Sequence, residues 1–429
     1  MKAWRSISKK RRWPGRFLIN ALFSSFLFLL FLSSCSHKPL LGYNPKTQSY
    51  LDRTNKYFPK IPAGIRTALL ARVNADSRRD LILVSLGRNR RNKVKVLINT
   101  GPGKFSPSDN SGLNRDWHMR IDFIAAGDLN GDGATDLLLL GTAAAKSVAR
   151  PLFNNKKGYF YRKGIAALPP LDNGIERVDL ADLDADGDLD LFFTGRNLRN
   201  PAGGPAVNQA QLMLNDGKGR FTDASFILLP PIRAGVAATA IADYDRDNAP
   251  DIFLVYGKGR NALLINNGLG EFADTSRFSL PPVQARGAAA DWADFDLDGD
   301  NDLLVVNSHI DPKSRAYPKE FSYFLENDGQ GHFVKKSLKL LPNFPSHQVY
   351  LLDANGNDIP DIIILSRKGA HFLVGEGDWA FSDETLKRFP YSIPFDKMTF
   401  GNVNGKGYLD IFAITTKGKK GRLWVDHFK

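Results

Sequence analysis

The sequence predicts an all-β fold: a seven-bladed β-propeller of four-stranded blades, closed by an N-terminal strand that completes the last blade. Three observations predict it. An acidic nonapeptide recurs seven times, each copy leads into a short apolar strand, and each repeat carries turn signals for four strands. The 429 residues are 43% hydrophobic and 24% charged, which excludes a disordered chain and a multi-span membrane protein.

The first 34 residues have the layout of an export signal. Residues 1–16 hold seven Lys or Arg and no acid, and residues 17–32 form an apolar run that is shorter than the roughly 20 residues needed to span a bilayer. Without these seven cations the formal charge of the chain falls from +13 to +6. We therefore predict a signal peptide over 1–34, a tether over 35–47 and the propeller over 48–429.

The signal ends at Leu32-Ser33-Ser34-Cys35, which resembles the lipobox of bacterial lipoproteins. The resemblance implies cleavage before Cys35 and acylation of this residue, so that several acyl chains anchor the protein to a membrane. Ser36 follows, and in lipoproteins of two-membraned bacteria a non-acidic residue there indicates the outer membrane, on its periplasmic or surface side. An uncleaved signal anchor and an accidental cysteine are the alternatives. Because Cys35 is the single cysteine, an intrachain disulfide and a Cys-rich zinc site are excluded.

Four copies of the nonapeptide fit the pattern D-x-[DN]-x-D-[GN]-x-x-D, and three copies are degraded. The final Asp recurs with a mean period of about 55 residues, which suits one four-stranded blade. The complete copies contain Asp128, Asn130, Asp132, Asp136, Asp182, Asp184, Asp186, Asp190, Asp243, Asp245, Asp247, Asp251, Asp294, Asp296, Asp298 and Asp302. The degraded copies contain Arg72, Asn74, Asp76 and Asp80, then Asp353, Asn355, Asn357 and Asp361, then Asn402, Asn404, Lys406 and Asp410.

Each repeat has signals for four strands. The nonapeptide runs into a short apolar stretch, such as 137–140, that reads as a strand buried on both faces. A second turn precedes a strand that ends in Asn and a Gly-x-Gly turn, as in 212–219. An aromatic residue then opens the fourth strand: Phe105, Phe160, Phe221, Phe272, Phe333 and Phe381. The chain stops after the third strand of the seventh repeat, while 50–54 match the fourth-strand pattern of 221–225, so the N-terminal strand should complete the last blade.

These repeats resemble FG-GAP or VCBS repeats, which also occur in integrin α-subunits and in many bacterial surface proteins. The resemblance extends over about residues 48–429 and implies a propeller that contains calcium. The chemistry of the loops agrees, because side-chain oxygens at positions 1, 3 and 5, a backbone carbonyl near position 7 and Asp at position 9 form the hard oxygen shell that suits Ca²⁺. An EF-hand would need Glu at position 12, where these loops hold apolar residues such as Leu139.

We expect about four structural Ca²⁺ ions, one in each complete loop, and Gly or Asn with positive φ at position 6. Acidic turns without metal are the alternative. Binding at the loop of Asp353, Asn355, Asn357 and Asp361 is left open, because it has only two carboxylates among these ligands. Arg72 and Lys406 occupy ligand positions in the loops at 72–80 and 402–410, where we expect no calcium and where the Lys406 ammonium would replace the cation.

Basic residues gather on the side opposite these loops. The connections that enter the inner strands supply a predicted cationic ring at the channel mouth, formed by Arg66, Arg120, Arg177, Arg233, Arg286, His347 and Lys397. Such a field would attract a polyanion, for example an acidic glycan, a lipopolysaccharide phosphate or an acidic protein patch. The alternative is that these charges only keep the surface soluble.

The sequence has none of the common catalytic motifs. Its seven His residues are scattered, and it contains no His-Glu-x-x-His, Gly-x-Ser-x-Gly, P-loop or dinucleotide motif. We expect a monomeric, non-catalytic binding or scaffold module, anchored to a membrane through Cys35 and without a nucleic-acid partner. The alternative is a propeller enzyme acting on polysaccharide, of lyase or hydrolase type, with its pocket built by the insertions at 195–210 and 307–321.

Overall fold

The computed structural model describes residues 49–52, 54–58, 61–86, 92–113, 117–162, 168–196, 198–199, 208–309, 320–389, 394–406, 409–415 and 420–427. These residues form seven four-stranded antiparallel sheets, here blades 1 to 7 in chain order, which confirms the predicted all-β propeller. The predicted signal over 1–34, Cys35 and the tether over 35–47 lie outside the described residues. So does much of the two insertions.

Each blade has an inner, a second, a third and an outer strand. The chain enters through β1 (Ser49–Asp52), the outer strand of blade 7. Blade 1 contains β2 (Ile65–Ala71), β3 (Asp80–Leu86), β4 (Asn92–Gly101) and β5 (Lys104–Pro107). Blade 2 contains β6 (Arg120–Gly127), β7 (Asp136–Ala143), β8 (Lys146–Asn154) and β9 (Phe160–Tyr161). Blade 3 contains β10 (Arg177–Ala181), β11 (Asp190–Thr194), β12 (Ala210–Asn215) and β13 (Phe221–Asp223).

The remaining blades repeat this order. Blade 4 contains β14 (Val236–Ala242), β15 (Asp251–Tyr256), β17 (Ala262–Asn266) and β18 (Phe272–Asp274), and β16 (Gly259–Arg260) pairs separately with β19 (Gln284–Ala285). Blade 5 contains β20 (Gly287–Ala293), β21 (Asp302–Asn307), β22 (Ser322–Asn327) and β23 (Phe333–Lys336). Blade 6 contains β24 (Ser346–Leu352), β25 (Asp361–Ser366), β26 (Gly369–Gly377) and β27 (Ala380–Asp383). Blade 7 adds β28 (Phe395–Gly401), β29 (Asp410–Thr415) and β30 (Gly421–His427) to β1.

Four single-turn helices follow outer strands, a feature that the sequence did not predict because one turn has no periodicity. They are α1 (Thr54–Tyr57), α2 (Ser225–Leu228), α3 (Ser276–Ser279) and α4 (Thr385–Arg388). Each begins at a Ser or Thr two positions after an outer-strand Asp. In blade 3, Asp223 Oδ1 accepts the N–H of Ser225 at 3.0 Å, and Ser225 Oγ accepts the N–H of Leu212 at 2.9 Å. The motif therefore ties the outer strand to the third strand.

The ring closes as the sequence predicted. All four residues of β1 pair antiparallel with β30. Thr54 Oγ1 accepts the N–H of Leu423 at 2.9 Å, the same contact that Ser225 makes in blade 3. Seven apolar clusters each span two consecutive blades, including blades 7 and 1. Burial of this apolar surface between blades is the main stabilising contribution to the ring.

A buried aspartate begins every second strand, at position 9 of the preceding loop. These residues, all 0% exposed, are Asp80, Asp136, Asp190, Asp251, Asp302, Asp361 and Asp410. In blade 3, Asp190 Oδ2 accepts the N–H of Leu183 in the loop, and Oδ1 accepts the N–H of Asn215 at the end of the third strand, both at 2.8 Å. The first contact repeats in all seven blades. The second repeats in blades 1 to 6.

Asparagines at the ends of the third strands join consecutive blades. Asn154 Nδ2 donates to the carbonyl of Val73 in blade 1 at 2.7 Å and to the carbonyl of Thr135 in its own blade at 3.0 Å. The amides that make the same contact to the preceding blade belong to Asn99, Asn215, Asn266 and Asn327. Because buried carbonyls need donors, this side chain explains why the third strand so often ends in Asn.

Replacing one such amide should destabilise the ring. Asn154→Asp places a carboxylate against two buried carbonyls, so we expect the free energy of unfolding to fall by about 2–4 kcal/mol. Denaturant unfolding measures this change. The matched control is Asn155→Asp, because the exposed Asn155 uses Oδ1 only as an acceptor for two backbone N–H groups, which a carboxylate preserves. Equal stability of the two variants would contradict the role of the amide.

Candidate metal loops and central cavity

The nonapeptide loops connect inner and second strands, so all seven lie on one side of the propeller, here the loop side. The turns between third and outer strands share it: a Cβ on Gly131 in the blade 2 loop would lie 2.9 Å from the carbonyl oxygen of Gly217 in the blade 3 turn. We call the opposite side, where one blade connects to the next, the connection side. This division agrees with the prediction from strand alternation.

Carboxylate oxygens at positions 1, 3 and 9 converge in three of the loops. Within each set the oxygens lie within 4.8 Å of one another: Asp182, Asp184 and Asp190 in blade 3, Asp243, Asp245 and Asp251 in blade 4, and Asp294, Asp296 and Asp302 in blade 5. The blade 2 loop has the amide of Asn130 at position 3, and its Oδ1 accepts the N–H of Asp132 at 3.1 Å. In the four complete loops, one oxygen of the position 5 aspartate accepts the backbone N–H of position 7. These aspartates are Asp132, Asp186, Asp247 and Asp298.

Three loop carboxylates carry buried oxygens without a hydrogen-bond partner among the described residues: Asp184 Oδ1, Asp294 Oδ1 and Asp300 Oδ1. An unpaired buried carboxylate oxygen is costly, so these atoms call for a cation or another donor. Backbone N–H groups already serve other oxygens of the shell, since Asp182 accepts from Asp186 at 3.1 Å and from Gly187 at 3.0 Å. The acidic clusters therefore fit a hard cation and could hold metal ions.

The loop backbone has a positive φ at two positions. The predicted positive φ at position 6 is confirmed, for example at Gly187 (94°) and Asn248 (70°). Position 4 has the same conformation at Ala185 (58°), Arg246 (65°) and Leu297 (67°), although a non-glycine residue there costs roughly 1–2 kcal/mol. This conformation could not be predicted from the sequence, because these residue types do not favour the left-handed region. The loop holds it because the position 1 carboxylate binds the N–H groups of positions 5 and 6.

Burial raises the pKa of the position 9 aspartates of blades 1 to 6. The pKa reaches about 7 for Asp136, Asp302 and Asp361 and about 8 for Asp190 and Asp251. Neighbouring carboxylates raise it further, and the two backbone N–H groups lower it. Without a cation these loops therefore hold protons near neutral pH, and a metal ion would compete with those protons.

The two loops predicted to lack calcium satisfy their carboxylates internally. In blade 1, Arg78 Nη2 lies 2.6 Å from Asp76 Oδ2, while Arg72 is exposed. In blade 7, Asn404 Nδ2 donates to Asp410 Oδ1 at 3.1 Å, while Lys406 is exposed. The side chains that contact these acids thus include Arg78 and Asn404, whereas the sequence analysis had singled out Arg72 and Lys406.

The blade 6 loop lies between these extremes. Asp353 accepts the N–H groups of Gly356 and Asn357 through Oδ1 and that of Asp358 through Oδ2. Asn355 is buried, and its Nδ2 has no partner. With carboxylates only at positions 1 and 9, its ligand positions carry fewer charges than the complete loops do.

Neighbouring blades hold the blade 5 loop, a feature that sequence reasoning missed. Trp379 Nε1 in blade 6 donates to Asp296 Oδ2 at 3.1 Å, and the Trp379 N–H donates to the carbonyl of Phe295 at 3.2 Å. Blade 6 has Gly375 in place of the third-strand Asn, because a Cβ at this position would lie 2.3 Å from a backbone carbonyl. The Trp379 N–H therefore makes the contact to the preceding blade that the Asn side chain makes elsewhere. In blade 4, Arg246 Nη2 lies 3.8 Å from Asp298 Oδ1.

The central cavity has a volume of about 690 Å³ and is lined by inner strands. Four residues of the predicted cationic ring line it: Arg66, Arg120, Arg177 and Lys397. The described residues that line the cavity do not include the other three members of the ring, Arg233, Arg286 and His347. Arg233 instead stacks on Tyr256, with its guanidinium carbon 3.7 Å from the ring centroid.

Acids that the sequence analysis did not single out line the same cavity. Asp122 lies between two arginines, 2.5 Å from Arg66 Nη1 and 2.7 Å from Arg120 Nε. Further acids in the lining are Glu176, Asp291 and Asp396. The cavity therefore presents both signs of charge. These acids could not be predicted as a group, because each is a single residue of an inner strand outside the nonapeptide pattern.

Several polar groups of the cavity tie consecutive inner strands together. Asp291 Oδ2 accepts the N–H of Leu351 at 3.2 Å. The Tyr350 hydroxyl accepts the N–H of Met398 at 2.8 Å. Thr399 Oγ1 accepts the N–H of Leu70 at 3.1 Å, across blades 7 and 1. These side chains satisfy N–H groups on the open edges of the inner strands.

The repeats match a known family. Residues 72–139 and 243–305 match the FG-GAP-like repeat family. Together with the seven four-stranded blades, this match supports an FG-GAP repeat β-propeller. Such a fold supports a binding or scaffold module. In the part of the chain that the structure describes, no helix is long and apolar enough to cross a membrane.

The solved structures that are similar to this chain include the following three. An Agrocybe aegerita lectin, described as recognising non-reducing terminal N-acetylglucosamine, is 17% identical with a TM-score of 0.48, covering 75% of this chain and 79% of that chain. BBS1N, in complex with ARL6DN and soaked with lead, is 13% identical with a TM-score of 0.46, covering 89% and 97%. The V. cholerae biofilm matrix protein Bap1 is 13% identical with a TM-score of 0.36. The match covers 88% of this chain and 64% of the Bap1 chain. No curated protein matches this chain in sequence.

The raised pKa values predict how metal-linked stability depends on pH. The folded metal-free protein binds more protons than the unfolded chain between about pH 4 and pH 8, so its stability falls as pH rises through that window. Calcium that displaces these protons should therefore raise the unfolding temperature more at pH 8 than at pH 5.5. Thermal unfolding of metal-free protein with and without added calcium measures this difference. A calcium effect equal at both pH values would exclude a role for these carboxyls.

Proposed function

We propose that this chain is an exported, lipid-anchored, calcium-binding propeller that acts as a non-catalytic binding or scaffold module. The observation that carries this proposal is the convergence of three carboxylates in each of three loops, two of which carry unpaired buried oxygens. The complete loops of blades 2 to 5 would hold one Ca²⁺ each, about four in all, and the blade 6 loop is a weaker candidate. Bound calcium would supply positive charge that offsets carboxylate repulsion and fixes the turn.

Native mass spectrometry of the purified mature chain in detergent tests both the metals and the anchor. We expect a chain that begins at Cys35, carries acyl groups and holds about four calcium ions. EGTA should remove the ions and lower the unfolding temperature, because each site at hundredfold excess of calcium over its Kd adds about 2.7 kcal/mol. No bound ion and no EGTA effect would overturn the metal proposal, and a chain that begins at Met1 would overturn the anchor.

The proposed location is the cell envelope, with the outer membrane as the expected site of anchoring. The charged and apolar order of residues 1–34 and the position of Cys35 support it. Outer strands run away from the loop side, so the tether joins β1 on that side. The connection side would then face away from the membrane and remain accessible to a partner.

We further propose an anionic ligand, such as an acidic glycan, at the connection side. Four cations of the predicted ring meet in the central cavity, and burial lowers the pKa of Arg177 there, which Asp179 and Glu176 partly offset. The acids of the cavity restrict the ligand, because a polyanion must contact the arginines without approaching Glu176 and Asp396. No nucleic-acid partner is proposed, and the chain is proposed to act as a monomer.

Retention on heparin beads tests the ring. We expect the combined variant Arg177→Ser, Arg233→Ser and Arg286→Ser to elute at clearly lower salt than wild type, because three cations leave the connection side. The matched control, Lys104→Ser with Lys218→Ser and Arg220→Ser, removes three exposed cations from the loop side. If the two variants elute at the same salt concentration, heparin retention depends only on the net charge of the protein, and the ring proposal is wrong.

A polysaccharide-acting enzyme is the second candidate. Its support is the meeting of Arg177, Asp291 and Tyr350 in one cavity, where burial raises the pKa of Asp291 to about 8. Both oxygens of Asp291 accept backbone N–H groups, and the Tyr350 hydroxyl accepts another, so these groups have structural partners. For this reason we rank binding first. Release of new chain ends from an acidic polysaccharide, abolished in Asp291→Asn, would reverse the order.

A further inference from the structure

A second cavity, of about 350 Å³, lies beside the third strand of blade 2, apart from the loops and the central cavity. It is lined by residues 147–151 of β8, by Arg162 directly after β9, and by residues 168–171. β9 pairs only with Phe153 and Asn154 of β8. The described outer strand therefore stops before the edge of β8 that forms the cavity wall.

The charged residues in this lining are two arginines, Arg150 and Arg162, and its described residues include no acid. Arg150 Nε is buried and has no hydrogen-bond partner. Burial lowers the pKa of Arg150, and the charge of Arg162 lowers it further. Two like charges thus share one cavity whose described lining offers no carboxylate to offset them, and this arrangement favours an anion there.

The repeats show that this pair is specific to blade 2. Counted back from the third-strand Asn, or from Gly375 in its place in blade 6, Arg150 corresponds to Gln211 in blade 3. Counted forward from the aromatic that opens each outer strand, Arg162 corresponds to Asp223. In blade 3 these two residues are complementary, since Gln211 Nε2 donates to Asp223 Oδ2 at 3.2 Å. The same positions hold Ala262 and Asp274 in blade 4, Tyr323 and Lys335 in blade 5, and His371 and Asp383 in blade 6. Among blades 2 to 6, blade 2 alone places two arginines there.

We propose that Arg150 and Arg162 bind the phosphate group of a small phosphate ester. A guanidinium offers N–H donors in a planar fork that matches phosphate oxygens, and two guanidiniums match the −1.5 to −2 charge of a phosphate monoester. The volume is at the lower end of the ~300–1,000 Å³ typical of small-molecule sites. The apolar wall of Leu168, Pro169 and Pro170 would pack against the organic part of the ester. This site is distinct from the cationic ring and does not depend on calcium, so either proposal can fail alone.

Isothermal titration of the purified chain tests the site. The probes are inorganic phosphate and glucose 6-phosphate, with glucose and glucuronate for comparison, all at fixed ionic strength. We expect glucose 6-phosphate to bind and glucose not to bind. Inorganic phosphate binding as tightly as the ester would support the arginine pair with free phosphate as the ligand. Glucuronate binding as tightly as glucose 6-phosphate would overturn the assignment to phosphate, and no binding of either phosphate probe would overturn the site.

A variant copied from blade 3 keeps the test independent of folding. Arg150→Gln with Arg162→Asp installs the complementary pair, so we expect the unliganded variant to unfold at the wild-type temperature or above it, and to bind glucose 6-phosphate at least about tenfold more weakly. The matched control, Lys146→Gln with Lys157→Asp, makes the same charge change at exposed positions of blade 2 outside the cavity lining. It should bind as wild type does. Equal loss in both variants would mean that phosphate responds only to net charge, and would overturn the proposal.

Discussion

The structure depends on the buried carboxylate that begins each second strand. Through its two oxygens it binds the loop before it and, in blades 1 to 6, the end of the third strand, so three of the four strands of a blade meet at one side chain. Blades 1 and 7 keep this aspartate although their loops have lost ligand residues. The position 9 aspartate therefore has a structural role in every blade, and in the complete loops it is also one of the carboxylates that could hold a metal ion.

The same carboxylate explains why each blade needs a positive group or donor nearby. Burial costs an ionised aspartate several kcal/mol unless hydrogen bonds or charge compensate it. In blade 1 Arg78 brings a guanidinium to the loop, and in blade 7 the amide of Asn404 reaches Asp410 directly. Loops that hold four acids and no such group have the strongest reason to bind a cation. Metal binding would thus be one of several ways to compensate these buried charges, beside the guanidinium of blade 1 and the amide of blade 7.

The regular features of the blades could be predicted from the sequence, because they repeat at one spacing along the chain. Strand order, the loop side and the closing strand follow from that register alone. Contacts across blade boundaries could not be predicted, since Trp379 reaches Asp296 over 83 positions and only the ring geometry brings them together. The positive φ of Leu297 and the acids beside Arg66 and Arg120 escaped for a related reason. Each of these features belongs to a single residue, and its role depends on neighbouring residues that cannot be predicted from the repeat pattern.

The separation between the two sides decides how far they influence each other. A strand of five or six residues is about 17–20 Å long, and the Debye length at physiological ionic strength is about 8 Å. The loop side and the connection side are therefore roughly two screening lengths apart. Calcium in the loops would add positive charge, but little of that field would reach a ligand on the connection side. Any dependence of ligand binding on calcium should then act through the stability of the blades, because the position 9 aspartate links the loop to the strands that shape the cavity.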